Sequence, residues 1–391
     1  MSGHEAQKVI DGVRELLPTL RDRAQEAEDA REVPAETVKS LAELGFFRLL
    51  QPGRHGGAAA SPLEFFSAVR LVASACGSTG WVASVVGVHP WQLALFDARA
   101  QDEVWGPDPE TRISSSYAPM GRAEPVEGGF RFSGKWSFSS GCAHASWVFL
   151  GGLVVDENGS PTDFRTFLLP AADYSIVDVW DTVGLRGTGS NDVVVDDVFV
   201  PEHRTLSFTD TGKCQCPGHE VNPEAVYRIP FASVFSTSIT VPIIGMATGA
   251  YEAFVEHTKA RVRASSGERA SEDTFGQVTI AEAARSIDTA WSRIRGYIGE
   301  ELDHVSSGEK VPMPLRLRAR RDQVSATGEA LSAIDELFSR SGGKALRAGT
   351  PLQRFWRDAH AGRAHAINDP DKVLALYGRS ELGLRVADAW L

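Results

Sequence analysis

The sequence predicts an α+β protein in which a helical segment, a β-rich segment and a second helical segment follow one another along the chain. Apolar residues recur at helical spacing from about residue 5 to residue 103, and they do so again from about residue 232 onward. Between these stretches, short β-rich runs separated by Gly, Asn, Asp and Pro occupy residues from about 110 to 205. These changes in pattern predict domains at 1–109, 110–226 and 227–391.

The N-terminal segment is predicted to be helical because Val38, Leu41 and Leu44 recur at three-residue spacing and the pattern stops at Gly45. A second helical stretch, from about residue 62 to residue 96, is unusually apolar in its middle. Because a helix that is apolar on every side has no face for solvent, we expect this stretch to be buried.

The central segment is predicted to form an antiparallel β domain. In the run FRFSGKWSF, Phe130 and Phe132 alternate with polar neighbours, as they do in strands with one buried face. Residues 206–226 have no apolar period and are rich in turn-forming residues, so we expect a connecting loop there.

The C-terminal segment is predicted to contain long helices. One apolar stripe recurs in steps of four and three residues and comprises Ile280, Ala284, Ile287, Trp291, Ile294 and Ile298. Further helices are expected at about 314–340 and 351–366.

Charge and hydropathy limit the possible partners. The formal net charge is −11, from 51 acidic and 40 basic residues spread along the chain, so no basic stripe exists for binding nucleic acid. No apolar run approaches the ~20 residues that span a bilayer, and the N-terminus lacks a signal-peptide layout. We therefore expect a cytoplasmic protein without membrane contact.

The four cysteines do not form a disulfide framework in so long a chain, which is typical of a reducing compartment. Cys214, Cys216 and His219 could suggest a metal loop. However, C-x-C-x-x-H offers three ligands without a fourth nearby. We favour an ordinary surface loop and expect no metal.

Four runs of sequence resemble the acyl-CoA dehydrogenase-like proteins, and the similarity extends over nearly the whole chain. They are LAELGFFRLLQPGRHGG (41–57), GGFRFSGKWSFSSG (128–141), VGLRGTGSNDVVVDDVFVP (183–201), and SGGKAL followed by LQRFWRDAHAGRAH (341–365). The resemblance implies an acyl-CoA dehydrogenase-like fold with an N-terminal helical domain, a central β domain, a C-terminal four-helix bundle and a homotetrameric assembly.

Within that superfamily, the runs CGSTGWVASVVGVH, RISSSYAPMG and RFWRDAHAGRAHA resemble the flavin-dependent monooxygenases. They are most similar to the oxygenases that hydroxylate the phenolic ring of secosteroids in bacterial steroid and cholesterol degradation. The resemblance implies that a separate NAD(P)H flavin reductase supplies reduced FMN. The reduced flavin would then react with O₂ to give a C4a-hydroperoxide that converts the phenol into a catechol.

Two alternatives remain open, namely an acyl-CoA dehydrogenase with resident FAD and a non-catalytic flavin-fold binding protein. Dehydrogenases of this fold abstract a substrate proton with a glutamate, often placed in a YEGT-like run after the last long helix. The corresponding stretch here, HAINDPDKVLALYG, contains no glutamate. Because that step requires a carboxylate base within hydrogen-bond reach, the departure argues against acyl-CoA oxidation.

The run GKWSFSSG has the composition that a flavin ring requires, with an apolar wall and hydrogen-bonding groups at the polar edge. Trp136 and Phe138 are the candidate wall, and Ser137, Ser139 and Ser140 supply hydroxyls. Without the resemblance, a β-hairpin with alternating faces and a polar turn would explain the run. With it, we expect Ser140 near the reactive edge of the flavin.

His365 occupies the neighbourhood of the missing glutamate, and an imidazole suits the removal of a phenolic proton. We therefore predict that His365 is the catalytic base and that Ala366 contacts the flavin beside it. His360 lies about 140° away on an α-helix and is interpreted as an ordinary histidine on a polar face.

Trp81 and Tyr117 are further candidates. By resemblance Trp81 lines the flavin or substrate site, although its apolar surroundings would also fit a core residue. Tyr117 is predicted to hydrogen-bond a substrate oxygen or the flavin edge, although a strand-end tyrosine that covers the sheet explains it equally well.

The flavin phosphate requires cationic or backbone donors. Arg261 and Arg263 resemble residues that meet the cofactor phosphate across a subunit boundary, and Gly343 and Lys344 match a Gly-rich cofactor loop. A helix C-cap glycine would also explain Gly343. No G-x-G-x-x-G follows a predicted strand, so a resident nicotinamide site is not expected.

Overall fold

The computed structural model describes residues 2–262 and 269–386. Its N-terminal part is helical, as predicted, and consists of α1 (Ser2–Asp22), α2 (Ala24–Ala30), α3 (Ala35–Glu43), α4 (Pro62–Ala75), α5 (Gly77–Leu93) and α6 (Ala98–Trp105). A capping box begins α4, because Ser61 Oγ accepts the Leu63 N–H and Glu64 accepts the Ser61 N–H. Every residue of α5 is buried, which confirms the expectation for this apolar stretch.

Seven strands form one sheet in the order β5-β6-β2-β1-β3-β4-β7. They are β1 (Ile113–Val126), β2 (Gly129–Ser139), β3 (Trp147–Val155), β4 (Pro161–Pro170), β5 (Ser175–Val177), β6 (Asn191–Pro201) and β7 (Thr205–Ser207). The sheet is mixed rather than antiparallel, because β3 pairs with β1 in parallel. Strand β6 occupies the edge of β2 that faces away from β1. The chain that leaves β2 therefore crosses to the other edge of β1, where it forms β3 parallel to β1.

The expected loop at 206–226 contains regular structure. After β7 it forms the short helix α7 (Phe208–Gly212) and two 3₁₀ turns, Pro217–Glu220 and Ala225–Arg228. Ser207 caps α7 by accepting the Thr209 N–H at 3.2 Å. A five-residue helix held by one cap has too few residues to show an apolar period, so the sequence pattern missed it.

The C-terminal part contains the long helices that the sequence predicted. They are α8 (Phe231–Ala260), α9 (Thr274–Ser306), α10 (Met313–Arg340), α11 (Pro351–Arg363) and α12 (Pro370–Glu381). Helices α8, α9, α10 and α11 pack against one another, which confirms the predicted bundle. In α9, Ile287, Ile294 and Ile298 form the buried part of the predicted stripe.

Helix α8 is the central helix of the molecule and packs against α4, α5, α9, α10 and α11. By length and composition it could span a bilayer, which the sequence pattern did not indicate because Ser, Thr and Gly interrupt its apolar residues. However, 94% of its most apolar window is buried inside the protein. Helix α8 therefore lies in the core of the described fold.

The sheet separates two apolar cores. One face contributes Ile113, Phe149 and Leu168 to the large core shared with the helices. The other face has its own core, in which Phe132 stacks on Phe167 with ring centroids 4.1 Å apart. A large cavity lies where the first face meets α5 and the C-terminal helices. The domain boundaries at 1–109, 110–226 and 227–391 stay a prediction.

Candidate active site

One cavity of about 990 Å³ collects most of the predicted site residues. This volume is at the upper end of the range for small-molecule sites, roughly 300–1,000 Å³. Its lining comes from α5, β1, β2, the 180–190 loop, α8, α10 and the α11–α12 turn. The predicted residues that line it are Trp81, Tyr117, Ser137, Phe138, Ser140, His365 and Ala366.

Trp81 and Ser140 are joined directly in this cavity. The Trp81 indole N–H donates to Ser140 Oγ at 3.2 Å, and both side chains are almost fully buried. The indole lies against α11 at Gly362, where a Cβ would come within 2.8 Å of the ring. Gly362 therefore provides the space that lets Trp81 pack between α5 and α11.

A bulge in β2 separates the two aromatic residues that the sequence assigned to one wall. The register of β2 against β6 shifts between Trp136 and Ser139, and Phe138 has a φ of +69°. Regular alternation would place both rings on one face of the sheet, but the bulge turns Phe138 to the cavity. There Phe138 is 69% exposed and lies edge-on to Trp180, with ring centroids 6.0 Å apart.

Trp136 does not line the cavity, so the prediction of Trp136 as a flavin wall is wrong. Its ring is fully buried in the second core, on the opposite side of the sheet. The indole N–H donates to Gly151 O at 2.8 Å and to Ala118 O at 3.2 Å. Because Ala118 lines the cavity, Trp136 supports that part of the wall from behind.

His365 lines the cavity between Trp81 and Phe235, with ring centroids 6.2 and 6.5 Å away. Its Nδ1 accepts the Ile367 N–H at 3.2 Å, so the proton of the neutral ring lies on Nε2. Burial and the nearby Arg320 charge lower the pKa of His365 to about 4. In this arrangement the free ring position of His365 is a hydrogen-bond donor rather than an acceptor, which disagrees with its predicted role as the base.

The turn that follows His365 is held by a buried polar network. Arg320 donates to Ile367 O at 3.1 Å, and Asn368 Nδ2 donates to Gly362 O at 3.0 Å. Gln323 Nε2 donates to Asn368 Oδ1 at 2.7 Å. Because these residues are buried and mutually bonded, the network fixes the orientation of the imidazole.

The sequence analysis missed a second histidine, His89, which is fully buried on α5 behind the cavity. Its Nδ1 lies 2.6 Å from Ile113 O, and a carbonyl oxygen can only accept, so Nδ1 carries the proton. Nε2 therefore keeps its lone pair and accepts the hydroxyl proton of Ser115 at 2.9 Å. Burial lowers the pKa of His89 to about 4, although the Ile113 bond opposes the shift.

Ser115 connects His89 to the cavity, because Ser115 is part of the lining. A signal for this pair was present in the sequence. Trp81, Val85 and His89 recur at four-residue spacing and so share one face of α5, on which Trp81 and Val85 also line the cavity. Placing Ser115 against that face required the three-dimensional structure, because the two residues lie on different elements.

Tyr117 lines the cavity with its ring, while its hydroxyl is bonded to the side chain of Gln92. The ring packs edge-on against Phe235 at a centroid distance of 4.9 Å. Burial raises the pKa of Tyr117 well above its ordinary value, and the hydrogen bonds with Ser115 and Gln92 oppose this shift. Tyr117 thus remains a neutral phenol beside Ser115.

The remaining candidates for phosphate binding lie together outside this cavity. Arg261 donates to Ser341 O at 2.8 Å. Lys344 lines a second cavity of about 420 Å³ with His257 and Arg347. Gly343 precedes it in a 3₁₀ turn. Arg263 lies outside the described residues, and contact of these residues with a neighbouring subunit's cofactor stays a prediction.

Acidic residues are nearly absent from the lining of the large cavity. Asp369 is the one acid in the described lining, and it is exposed and caps α12 by accepting the Asp371 N–H at 3.0 Å. Among the described residues, the lining therefore contains no glutamate placed as a dehydrogenase base. His360, as interpreted from the sequence, lies on the surface and bonds Asp335 at 2.9 Å.

In the predicted surface loop, the candidate metal ligands Cys214 and His219 contact different residues. Cys214 Sγ lies 3.5 Å from Arg316, and His219 Nε2 bonds Tyr227 O at 2.9 Å. Within residues 2–262 and 269–386, no group of three or more His, Cys, Asp and Glu side chains is arranged to hold a metal ion.

The large cavity fits the requirements of a flavin ring. An isoalloxazine needs apolar surfaces on its faces and polar groups at one edge. Trp81, Phe138 and Trp180 supply aromatic surfaces, and Ser140, whose hydroxyl bonds the Trp81 indole, lines the same cavity. These described residues are suited to hold the ring in the orientation that the sequence resemblance implies.

Comparisons with known proteins identify the family of this chain. Models of the acyl-CoA dehydrogenase N-terminal and C-terminal domains match residues 3–108 and 237–370. The flavin-dependent monooxygenase oxygenase subunit HsaA from Rhodococcus jostii (strain RHA1) is 58% identical over 374 residues, 95% of this chain and 98% of that protein.

Solved structures extend the comparison to the fold. The crystal structure of 3-HSA hydroxylase from Rhodococcus sp. RHA1 has a TM-score of 0.95 at 56% identity, covering 98% of this chain and 99% of that one. XiaF from Streptomyces sp., solved with FADH2 and glycerol, has a TM-score of 0.90 at 28% identity, covering 99% and 98%. The chain therefore belongs to the acyl-CoA dehydrogenase family and, within it, to the oxygenase subunits of flavin-dependent monooxygenases.

Proposed function

We propose that this oxygenase subunit uses reduced FMN and O₂ to hydroxylate a phenol at the carbon ortho to its hydroxyl group, giving a catechol. We propose further that the substrate is the phenolic ring of a secosteroid in bacterial steroid and cholesterol degradation. The observation that carries the proposal is the cavity of about 990 Å³, in which Trp81 and Ser140 face the same space as Ser115.

The size and lining of the cavity support a large apolar substrate. The lining also includes Leu317, Val373 and Leu376, which offer hydrocarbon surface. A single-ring phenol would leave much of that surface in contact with water, whereas fused rings would cover it. The high identity to a protein named 3-HSA hydroxylase supports the same substrate class.

The bound reduced flavin would supply the two electrons that allow one oxygen atom of O₂ to enter the ring while the other leaves as water. Trp81, Phe138 and Trp180 would contact the flavin ring, and Ser140 would bond its edge. Arg261 and Lys344, together with Arg263, are our candidates for the phosphate of a neighbouring subunit's flavin. The apolar lining would keep out the water that diverts O₂ to H₂O₂.

We propose that Ser115 and His89 receive the phenolic proton. Because Ser115 already donates its hydroxyl proton to His89 Nε2, its oxygen can act only as an acceptor, both toward the neighbouring Tyr117 and toward a proton of the substrate. His89 is neutral above its pKa of about 4 and is therefore always available as an acceptor at physiological pH. Transfer would be completed as oxygen attacks the ring, when the phenol becomes a much stronger acid.

His365 has a complementary role in this proposal. Because its Nδ1 is occupied by the Ile367 N–H, its Nε2–H would donate to an oxygen atom of the substrate or flavin. Such a donor stabilises negative charge without removing a proton. The two histidines would thus act on the reaction in different ways, one as proton acceptor and one as hydrogen-bond donor.

Partners and assembly follow from the same proposal. The name of the similar oxygenase subunit implies a separate reductase component, which would deliver FMNH₂. Phe275 and Val278 are 68% and 54% exposed on α9, and burial of such side chains between subunits would favour a homotetramer. Light scattering should show four chains. The four free thiols fit a cytoplasmic location, which cell fractionation would test.

The decisive experiment supplies the protein with reduced FMN, ¹⁸O₂ and a secosteroid phenol, and analyses the product by mass spectrometry. We expect a catechol that carries one ¹⁸O atom and little H₂O₂. Parallel reactions with reduced FAD and with a single-ring phenol measure the preference for flavin and substrate. Unlabelled product, or oxidation of an acyl-CoA to an enoyl-CoA, would contradict the proposal.

A further inference from the structure

A row of three buried hydroxyl groups leads inward from the cavity, whose lining includes Ser140 and Ser190 but not Thr188. Ser140 Oγ is 2.7 Å from Ser190 Oγ, and Ser190 Oγ is 2.7 Å from Thr188 Oγ1. Thr188 Oγ1 ends the row by bonding Leu185 O at 2.8 Å. Ser140, Ser190 and Thr188 are all buried, so water does not compete for these bonds along the row.

The carbonyl at the end of the row determines the direction of every proton in it. A carbonyl oxygen can only accept, so the Thr188 proton lies toward Leu185. Ser190 must then donate to Thr188, and Ser140 must donate to Ser190. The Trp81 indole N–H can only donate, and it occupies one lone pair of Ser140. Ser140 is therefore left with a lone pair, and no proton, for a ligand in the cavity.

We propose that Thr188 and Ser190 are positioning residues that make Ser140 a hydrogen-bond acceptor and thereby select the reduced form of the flavin. The central ring of a reduced flavin carries an N–H at its reactive edge, whereas the oxidised ring has a lone pair at the same nitrogen. An acceptor bonds the N–H but leaves the oxidised nitrogen unsatisfied. The proposal rests on the proposed function, which brings the flavin edge to Ser140.

The fixed direction of the Ser140 proton matters for a subunit that takes reduced flavin from another protein. Binding must favour the reduced form on arrival, and the oxidised form must leave after turnover. A serine with a free proton could rotate and bond both forms equally well. The hydroxyl row prevents this rotation, because turning the Ser140 proton toward the cavity would leave Ser190 Oγ without its donor.

The test measures the dissociation constants of oxidised FMN in air and of reduced FMN under anaerobic conditions, by flavin fluorescence and absorbance. In Ser190→Ala the Ser140 proton loses its acceptor and can turn to the ligand. We expect oxidised FMN to bind roughly tenfold more tightly relative to reduced FMN, the equivalent of about one hydrogen bond. Thr188→Val should shift the ratio in the same direction, because Ser190 can then donate back to Ser140.

Three further variants distinguish an effect of the Ser140 proton direction from a general loss of structure. Thr188→Ser keeps the hydroxyl and should retain the parent ratio. Ser140→Ala should lose selectivity by weakening reduced FMN, in contrast to Ser190→Ala, which should strengthen oxidised FMN. Thr211→Val removes another buried threonine hydroxyl, bonded to Ser207 O at 2.7 Å away from the cavity lining, and should leave both constants unchanged.

The outcomes distinguish this inference from the proposed function. Parent protein that binds neither form of FMN would contradict the proposed function. Parent protein that prefers reduced FMN, together with a folded Ser190→Ala of unchanged ratio, would overturn the hydroxyl-row proposal alone. If circular dichroism shows that Ser190→Ala does not fold, Thr188→Val decides in its place, and an unchanged ratio there overturns the proposal equally.

Discussion

Ser115→Ala is the variant that tests the proton pathway most directly. The substitution removes the one hydroxyl that joins the cavity to His89 Nε2, across 2.9 Å, and changes little volume. General-base catalysis is typically worth ~10²–10⁴-fold. We therefore expect the variant to bind reduced FMN normally but to hydroxylate the phenol ~10²–10⁴ times more slowly at neutral pH.

The rate of Ser115→Ala should depend on pH in a way that differs from the parent protein. A phenol with a pKa near ~10 is ionised to about one part in ~10³ at pH 7 and about one part in ~10 at pH 9. Without Ser115 the reaction depends on this pre-formed phenolate, so its rate should rise about tenfold per pH unit. The parent should be flat above pH 5, because His89 with a pKa of about 4 is already neutral. The defect should therefore shrink steadily as pH rises.

Single-turnover mixing of the reduced-FMN complex with O₂ and phenol, quenched for product analysis, measures this rate. Ser116→Ala is the matched control, because Ser116 also lines the cavity but donates to Ser137 O rather than to His89. His365→Gln keeps an N–H donor and should show a loss that does not vary with pH. Parallel profiles for Ser115→Ala and the parent, or a pH-dependent defect in His365→Gln, would restore His365 as the base.

Three further variants test how the fold supports the site. Burial raises the pKa of Asp358 to about 6 from 3.8. Between these pH values the folded protein holds a proton on Asp358 that the unfolded protein has lost. The free energy of unfolding therefore falls as pH rises through this range. Asp358→Asn should remove that slope in urea titrations at pH 4.5 and 7, and an unchanged slope would exclude Asp358 as its source. Gly362→Ala places a Cβ 2.8 Å from the Trp81 ring. We expect the free energy of unfolding, measured by thermal unfolding, to fall by about 1–3 kcal/mol and flavin to bind more weakly. Unaltered flavin binding would show that the position of Trp81 does not depend on this gap. Trp136→Phe leaves the carbonyls of Gly151 and Ala118 without their donor and should cost roughly 1–3 kcal/mol in denaturant unfolding, whereas a neutral result would mean that water replaces the indole.

The helices were predictable from the sequence because their apolar residues recur within a few turns. In α9 the steps of four and three between Ile287, Trp291, Ile294 and Ile298 define one face without any knowledge of the partner helix. Likewise, the composition of α5 leaves no polar side for solvent, which is enough to predict burial. Local periodicity was thus sufficient wherever the structure repeats locally.

The sheet was predicted less completely because its pairing is not local. Nothing in the short runs of β1 and β3 indicates that they lie side by side in parallel, since this depends on β6 occupying the far edge of β2. The bulge at Phe138 is equally hard to foresee, because a positive φ is uncommon outside glycine. The positive φ at Phe138 turns its ring to the cavity, whereas Trp136 lies on the other side of the sheet.

The resemblance pointed to several residues that line the cavity, but it did not indicate which of them donate and which accept hydrogen bonds. The sequence brought His365 and Ser140 to attention, yet whether a histidine accepts or donates depends on which backbone group occupies its other nitrogen. Ile367 donates to Nδ1 of His365, whereas Ile113 accepts from Nδ1 of His89. These two contacts give the imidazoles opposite roles, and neither contact can be read from a motif.

The near absence of acid from the described lining is consistent with chemistry on a phenolate. A buried carboxylate beside the substrate would raise the phenol's pKa and oppose the negative charge that activates the ortho carbon. A carbon acid without such charge would instead need the carboxylate as its base. The described lining has neutral imidazole and hydroxyl groups around the cavity, and its one acid, Asp369, is exposed and holds the start of α12. A cavity whose reacting groups are neutral and oriented, rather than a charged carboxylate base, therefore suits a substrate that must itself become the anion.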